Sequence, residues 1–133
     1  SWGYMLENGA TTVWERWNGY TKENGFEDPE MNSFNHYSLG SCVEWLYSYV
    51  LGIKLADDTD EVTVKPTISD KLAFAKGGTW VKGGKIFVCW ERKGNSITLE
   101  VAADDGVKYR VDIDGCIILS EEKNGNTTKL VIK

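Results

Sequence analysis

From residue 62 onward the chain is punctuated by Gly-containing pairs at short intervals: Gly83-Gly84, Gly94-Asn95, Asp105-Gly106, Asp114-Gly115 and Asn124-Gly125. Such pairs favour tight hairpins, and the segments between them are rich in β-branched and aromatic residues. Residues 62–65, 85–90, 96–101, 108–113, 115–119 and 128–132 therefore read as strands, with 72–81 as a further strand interrupted at Gly77-Gly78. Six or seven strands in the last 78 residues predict an antiparallel β-sandwich. Trp90 alternates in phase with Ile86 and Val88, which assigns it to the core. Trp80 is expected there too, with a carbohydrate-binding role for Trp80 and Trp90 as the alternative.

The first 55 residues follow another grammar. They hold 11 of the 16 aromatic residues, and 3 basic against 7 acidic residues, a net charge of −4 out of −5 for the whole chain. Trp2, Met5 and Leu6 stand at helical spacing ahead of Gly9, so residues 1–9 read as a helix. With no initiator Met or cap ahead of it, Ser1 is expected to be an internal position of a longer protein. Residues 18–35 are dense in Gly, Asn, Asp and Pro and read as a long loop. Val43, Leu46, Tyr47, Val50 and Leu51 then mark a helix from about Ser33 to Leu51, with Ser33 or Asn35 as cap and Gly52 as terminator. Cys42, Trp45 and Tyr49 widen its apolar surface nearly all the way round, so it requires neighbours on more than one side. Two domains are expected, 1–55 helical and 56–133 a sandwich.

Composition excludes several functions. The acidic balance and the lack of any basic stripe argue against nucleic acid as a partner. No apolar run approaches the ~20 residues that span a bilayer, so no membrane partner is expected. Cys42, Cys89 and Cys116 form no CxxC pair and read as small buried residues. His36 is the only histidine, so neither a metal site nor a cofactor is expected. Compartment is left open between cytoplasmic and exported. An acidic, aromatic-rich segment suits sugar handling, because pyranose rings stack on aromatics while carboxylates bind hydroxyls or move protons.

Two motifs carry that chemistry. In Gly9 to Trp17, GATTVWERW, Glu15 lies between Trp14 and Trp17 and next to Arg16. It reads either as a partly desolvated acid or base or as a surface carboxylate paired with Arg16. In residues 27–37, EDPEMNSFNHY, carboxylates, amides and His36 precede the apolar helix. They could face a ligand or cap the backbone.

GATTVWERWNGY followed by DPEMNSFNHYSLGSCVEWLYSYVLGI resembles the α-L-rhamnosidases of glycoside hydrolase family 78. The resemblance implies the terminal helices of an (α/α)6 barrel followed by an antiparallel β-sandwich, and it covers essentially the whole chain. It implies inverting hydrolysis of terminal α-L-rhamnose from glycosides, with a general acid and a general base roughly 6.5–9.5 Å apart. The glutamate of the WERW motif, Glu15, corresponds to the base. His36 of the NHY motif corresponds to a sugar-site residue, and Trp14 and Trp17 to substrate-binding wall residues. Nothing in the chain matches the family's acid motif. The resemblance therefore implies an inactive fragment whose partners are a rhamnose-containing glycoside or oligosaccharide and the missing N-terminal part of its own barrel. A non-catalytic carbohydrate-binding sandwich and a different (α/α)6 glycosidase are the alternatives.

Overall fold

The computed structural model describes residues 1–28, 30, 32–55 and 59–133. Ala56, Asp57, Asp58, Pro29 and Met31 lie outside them, and with them the expected domain boundary. The chain divides into two compact units, Ser1–Val43 and Glu44–Lys133. The sequence predicts the second to begin at residue 56, but its apolar core already draws on Val50, Leu51 and Ile53.

In the first unit, α1 (Trp2–Glu7) is capped at one end by Ser1, whose Oγ accepts from the Tyr4 N–H at 3.3 Å. At its other end the Gly9 N–H reaches Leu6 O at 3.0 Å and the Ala10 N–H reaches Met5 O at 3.0 Å. This paired closure satisfies carbonyls that the helix leaves open. The predicted long loop contains a short hairpin, β1 (Tyr20–Thr21) against β2 (Gly25–Phe26).

The predicted helix from Ser33 is shorter than expected. Its residues run through a tight turn at Leu39–Ser41, α2 (Cys42–Trp45) and a wider-wound turn at Leu46–Val50, where the Leu51 N–H donates to Leu46 O at 3.0 Å. Ser33 cannot be its cap. A cap residue's carbonyl accepts the first bond of its helix, whereas Ser33 O accepts from the Glu15 N–H at 2.8 Å. Val43, Trp45, Leu46 and Tyr49 are all exposed, as a helix expecting further neighbours would leave them.

The second unit is built from two sheets around one core. β5 (Phe74–Val81), β6 (Gly84–Lys93), β7 (Ser96–Ala103), β9 (Ile118–Asn124) and β10 (Thr127–Ile132) form an antiparallel sheet in the order β5-β6-β7-β10-β9. β3 (Ile53–Leu55), β4 (Glu61–Val64) and β8 (Lys108–Val111) form the other, in the order β3-β4-β8. Most pairings are antiparallel as expected, but β4 and β8 run parallel. Alternation along the strands sends Ile86, Val88, Trp90, Ile97, Leu99, Val101, Leu130 and Ile132 inward to meet Val62 and Val64. Each such side chain contributes roughly 1.5–3 kcal/mol.

Four further expectations are corrected. β5 runs through Gly77-Gly78 without interruption, because a Cβ at Gly77 would come within 2.7 Å of Leu51 Cδ1 and one at Gly78 within 2.8 Å of Ile86 O. The glycines admit neighbours and do not break the strand. The strand expected at 115–119 begins at Ile118 and extends to Asn124. Trp80 lies on the outer face of β5 and is 70% exposed, whereas Trp90 is fully buried. Cys116 is exposed and Cys42 and Cys89 are half-buried, so none behaves as a core residue.

Candidate functional site

The two motifs meet within the first unit. The His36 N–H donates to Val13 O at 2.8 Å and the Glu15 N–H to Ser33 O at 2.8 Å, so residues 13–15 run alongside 33–36. The Thr12 hydroxyl adds a bond to Phe34 O. Backbone pairing thus brings the WERW and NHY segments together across some twenty residues of loop.

Trp14 turns into an aromatic cluster, meeting Phe34 edge-on at a ring separation of 5.2 Å and Tyr4 and Tyr20 at 6.5 Å. At 5% exposure Trp14 packs into the core of this unit. Glu15 is half-buried. Among the described residues it forms no ion pair with Arg16. Its Oε2 accepts the Ser33 N–H at 2.9 Å. Oε1 has no such bond among the described residues, which leaves one carboxylate oxygen to act on a ligand or water.

Trp17 is 43% exposed and meets Trp2 edge-on at 5.0 Å. Trp2 is itself fixed by its indole N–H, which donates to Leu39 O at 3.2 Å. His36 is half-buried, stacks on Tyr37 at 5.0 Å, and accepts the Ser38 N–H on Nδ1 at 3.2 Å. That bond places the ring proton on Nε2 when the imidazole is neutral, making Nε2 a donor to a ligand hydroxyl.

Two residues that sequence reasoning treats as loop or cap help to hold this arrangement. Ser33 supplies the backbone contacts to Glu15. The Asn32 Nδ2–H donates to Gly19 O at 2.7 Å, closing the loop after Trp17. The Asn-Gly content of that loop signals a turn, but nothing in its spacing signals which side chain closes it. A cleft of about 280 Å3 lined by Asn8 to Thr12, Trp14, Tyr20, Phe26 and Phe34 holds neither Glu15 nor His36. Among the described residues, no cluster of His, Cys, Asp and Glu could hold a metal ion.

Residues 1–50 match the family described as the bacterial alpha-L-rhamnosidase 6 hairpin glycosidase domain. The chain is 39% identical over 102 residues to an alpha-L-rhamnosidase of Alteromonas sp. (strain LOR), covering 76% of this chain and 11% of that protein. It is 35% identical over 114 residues to one of Formosa agariphila, covering 85% and 12%. The chain thus spans about a tenth of the length of the curated relatives it matches. The crystal structure of Streptomyces avermitilis alpha-L-rhamnosidase complexed with L-rhamnose superposes with a TM-score of 0.78 at 27% identity, over 99% of this chain and 14% of that one. Native alfa-L-rhamnosidase from Aspergillus terreus does so with a TM-score of 0.68 at 26% identity, over 98% and 14%.

Proposed function

Because the chain belongs to the α-L-rhamnosidase family, we propose that it forms part of an enzyme that hydrolyses terminal α-L-rhamnose from glycosides with inversion, and that Glu15 is the general base. The observation that carries this is the Glu15 carboxylate, steered by the Ser33 N–H at 2.9 Å with its other oxygen unbonded among the described residues. Inversion needs a carboxylate that takes a proton from water on one face of the sugar while an acid protonates the leaving oxygen on the other. Oxygen Oε1 would receive that proton, and the Ser33 N–H would hold the carboxylate in the orientation that water requires. His36, through Nε2, donates to a rhamnose hydroxyl, and Trp17 offers a ring face beside it. Trp14 acts from behind as packing.

The general acid belongs to the part of the relatives that this chain does not span, so residues 1–133 alone are inactive in this proposal. The first 50 residues contribute terminal elements of the six-hairpin domain, and the sheet-rich unit packs as an accessory sandwich. The substrate partner is a rhamnose-containing glycoside or oligosaccharide.

Glu15→Gln in the full-length enzyme is expected to lower kcat on an aryl α-L-rhamnoside by about 10²–10⁴, the range for losing an acid–base group. Near-normal turnover would remove Glu15 from the base role.

A further inference from the structure

Asn32 is the least explained polar residue in the first unit. Its Oδ1 is buried without a partner among the described residues, a state that folded chains rarely tolerate without a reason. Its amide nitrogen reaches across 13 positions to Gly19 O at 2.7 Å. The assignment of nitrogen and oxygen is fixed by this contact, because the reversed amide would set an oxygen against the Gly19 carbonyl. Gly19 is buried, and a Cβ there would lie 2.9 Å from Asn32 Oδ1 and 3.3 Å from Nδ2. The carboxamide therefore sits directly on the Gly19 backbone.

This contact brackets Glu15. On one side the Val13 carbonyl is held by the His36 N–H at 2.8 Å, and on the other the turn from Arg16 to Gly19 closes through the Gly19 N–H on Arg16 O at 3.3 Å. Asn32 pins that turn, and the residue after it, Ser33, both receives the Glu15 N–H and donates to its carboxylate. The pin and the carboxylate holder are thus adjacent residues of one loop. We propose that Asn32 is a positioning residue for the hydrolytic base: its bond to Gly19 O fixes the register in which Ser33 orients the Glu15 carboxylate. This rests on the assignment of Glu15 as base. A carboxylate displaced by about 1 Å from the water it activates loses on the order of 10²-fold in rate while substrate binding is retained.

A double-mutant cycle in the full-length enzyme tests this with an aryl α-L-rhamnoside. Asn32→Ala is expected to lower kcat by about 10–100-fold while KM stays within about threefold. In a Glu15→Gln background the same substitution is expected to cost less than about threefold, because two residues that act through one group are not additive. A structural role alone would give the same loss in both backgrounds, and that outcome overturns the proposal. So does an Asn32→Ala enzyme with wild-type kcat. If Asn32→Ala does not fold, Gly19→Ala presses on the same contact with Asn32 in place, and is expected to lower kcat in the same way. A folded Gly19→Ala enzyme with wild-type kcat overturns the proposal. Near-normal turnover of Glu15→Gln overturns the base assignment and the positioning role together, whereas a deep loss there with additive Asn32→Ala overturns the positioning role alone.

Discussion

At Gly52 the chain leaves its last helical turn with φ of +76°, a conformation that costs a residue bearing a Cβ about 1–2 kcal/mol. The space is more demanding still: a Cβ there would lie 2.1 Å from the Lys65 carbonyl carbon and 2.2 Å from Pro66 N. Gly52 O accepts the Lys65 N–H at 2.8 Å, so the two segments are in backbone contact. Gly52→Ala is therefore expected to destabilise the sheet-rich unit by more than the about 1–2 kcal/mol of conformational cost alone, read as a lower urea midpoint with an unchanged slope. The terminating role of Gly52 is legible in the sequence, since a glycine follows the last apolar position of a helical pattern. Its contact with Lys65 and Pro66 is not, because periodicity describes one element and is silent about what meets it. The same holds for Ser33 and Asn32. From their neighbours Ser33 reads as a cap and Asn32 as loop, and both are committed to partners 13 to 18 positions away.

Among the elements, the strands flanked by Gly-containing turns were the most legible, since turn chemistry and alternation agree there. β3 escapes notice because its three residues continue straight from a helical pattern. The parallel pairing of β4 with β8 escapes too, since alternation gives the face a residue occupies but not the direction of its neighbour. Two polar contacts tie this region together. Lys65 Nζ donates to Asp112 Oδ2 at 2.8 Å, and the Asp112 N–H donates to Val64 O at 2.9 Å. The Lys65 ammonium, and after it the Asp114 N–H, hold the Asp112 carboxyl below the usual carboxylate range, while the Asp112 carboxylate raises Lys65. A carboxyl whose pKa is depressed in the folded state contributes stability at pH values above its unfolded pKa, and that contribution is lost as pH falls through the folded value. For Lys65 the contribution is present below its unfolded pKa and lost as pH rises through its raised folded value. Asp112→Asn should thus lower the thermal midpoint at neutral pH. The gap between variant and parent should narrow as pH falls below the ordinary aspartate value near about 3.9. Partial exposure of Lys65 keeps the effect small, and salt should reduce it further.

For the whole molecule, the unequal distribution of aromatics along the sequence marks two kinds of construction. In the first unit they form an edge-to-face cluster around Trp14, and several apolar side chains, Trp2, Leu6 and Trp17 among them, stay exposed. In the second, one core is closed by two sheets and by the residues that precede them. Val50, Leu51 and Ile53 are 8%, 6% and 5% exposed and belong to that core. Residues 44–133 are therefore expected to fold cooperatively when produced alone. Residues 56–133 lack three buried side chains worth roughly 1.5–3 kcal/mol each and the whole of β3, and should unfold at markedly lower denaturant or not fold at all. Equal midpoints for the two would show that the sandwich needs only its strands from β4 onward.

Trp90 makes that difference visible without any label. Its indole N–H, deep in the core, donates to the carbonyl of Val50 at 2.8 Å, so a residue of the central sheet senses whether the final helical turn is present. In residues 44–133 its emission should be blue-shifted and protected from iodide, while the exposed Trp45 and Trp80 are quenched. In residues 56–133 the indole loses its acceptor and the cover above it, and its emission should move to the red. The sheet-rich unit thus carries an optical gauge of its own first turn, in a position that a solvent-borne quencher reaches only when that turn leaves the core.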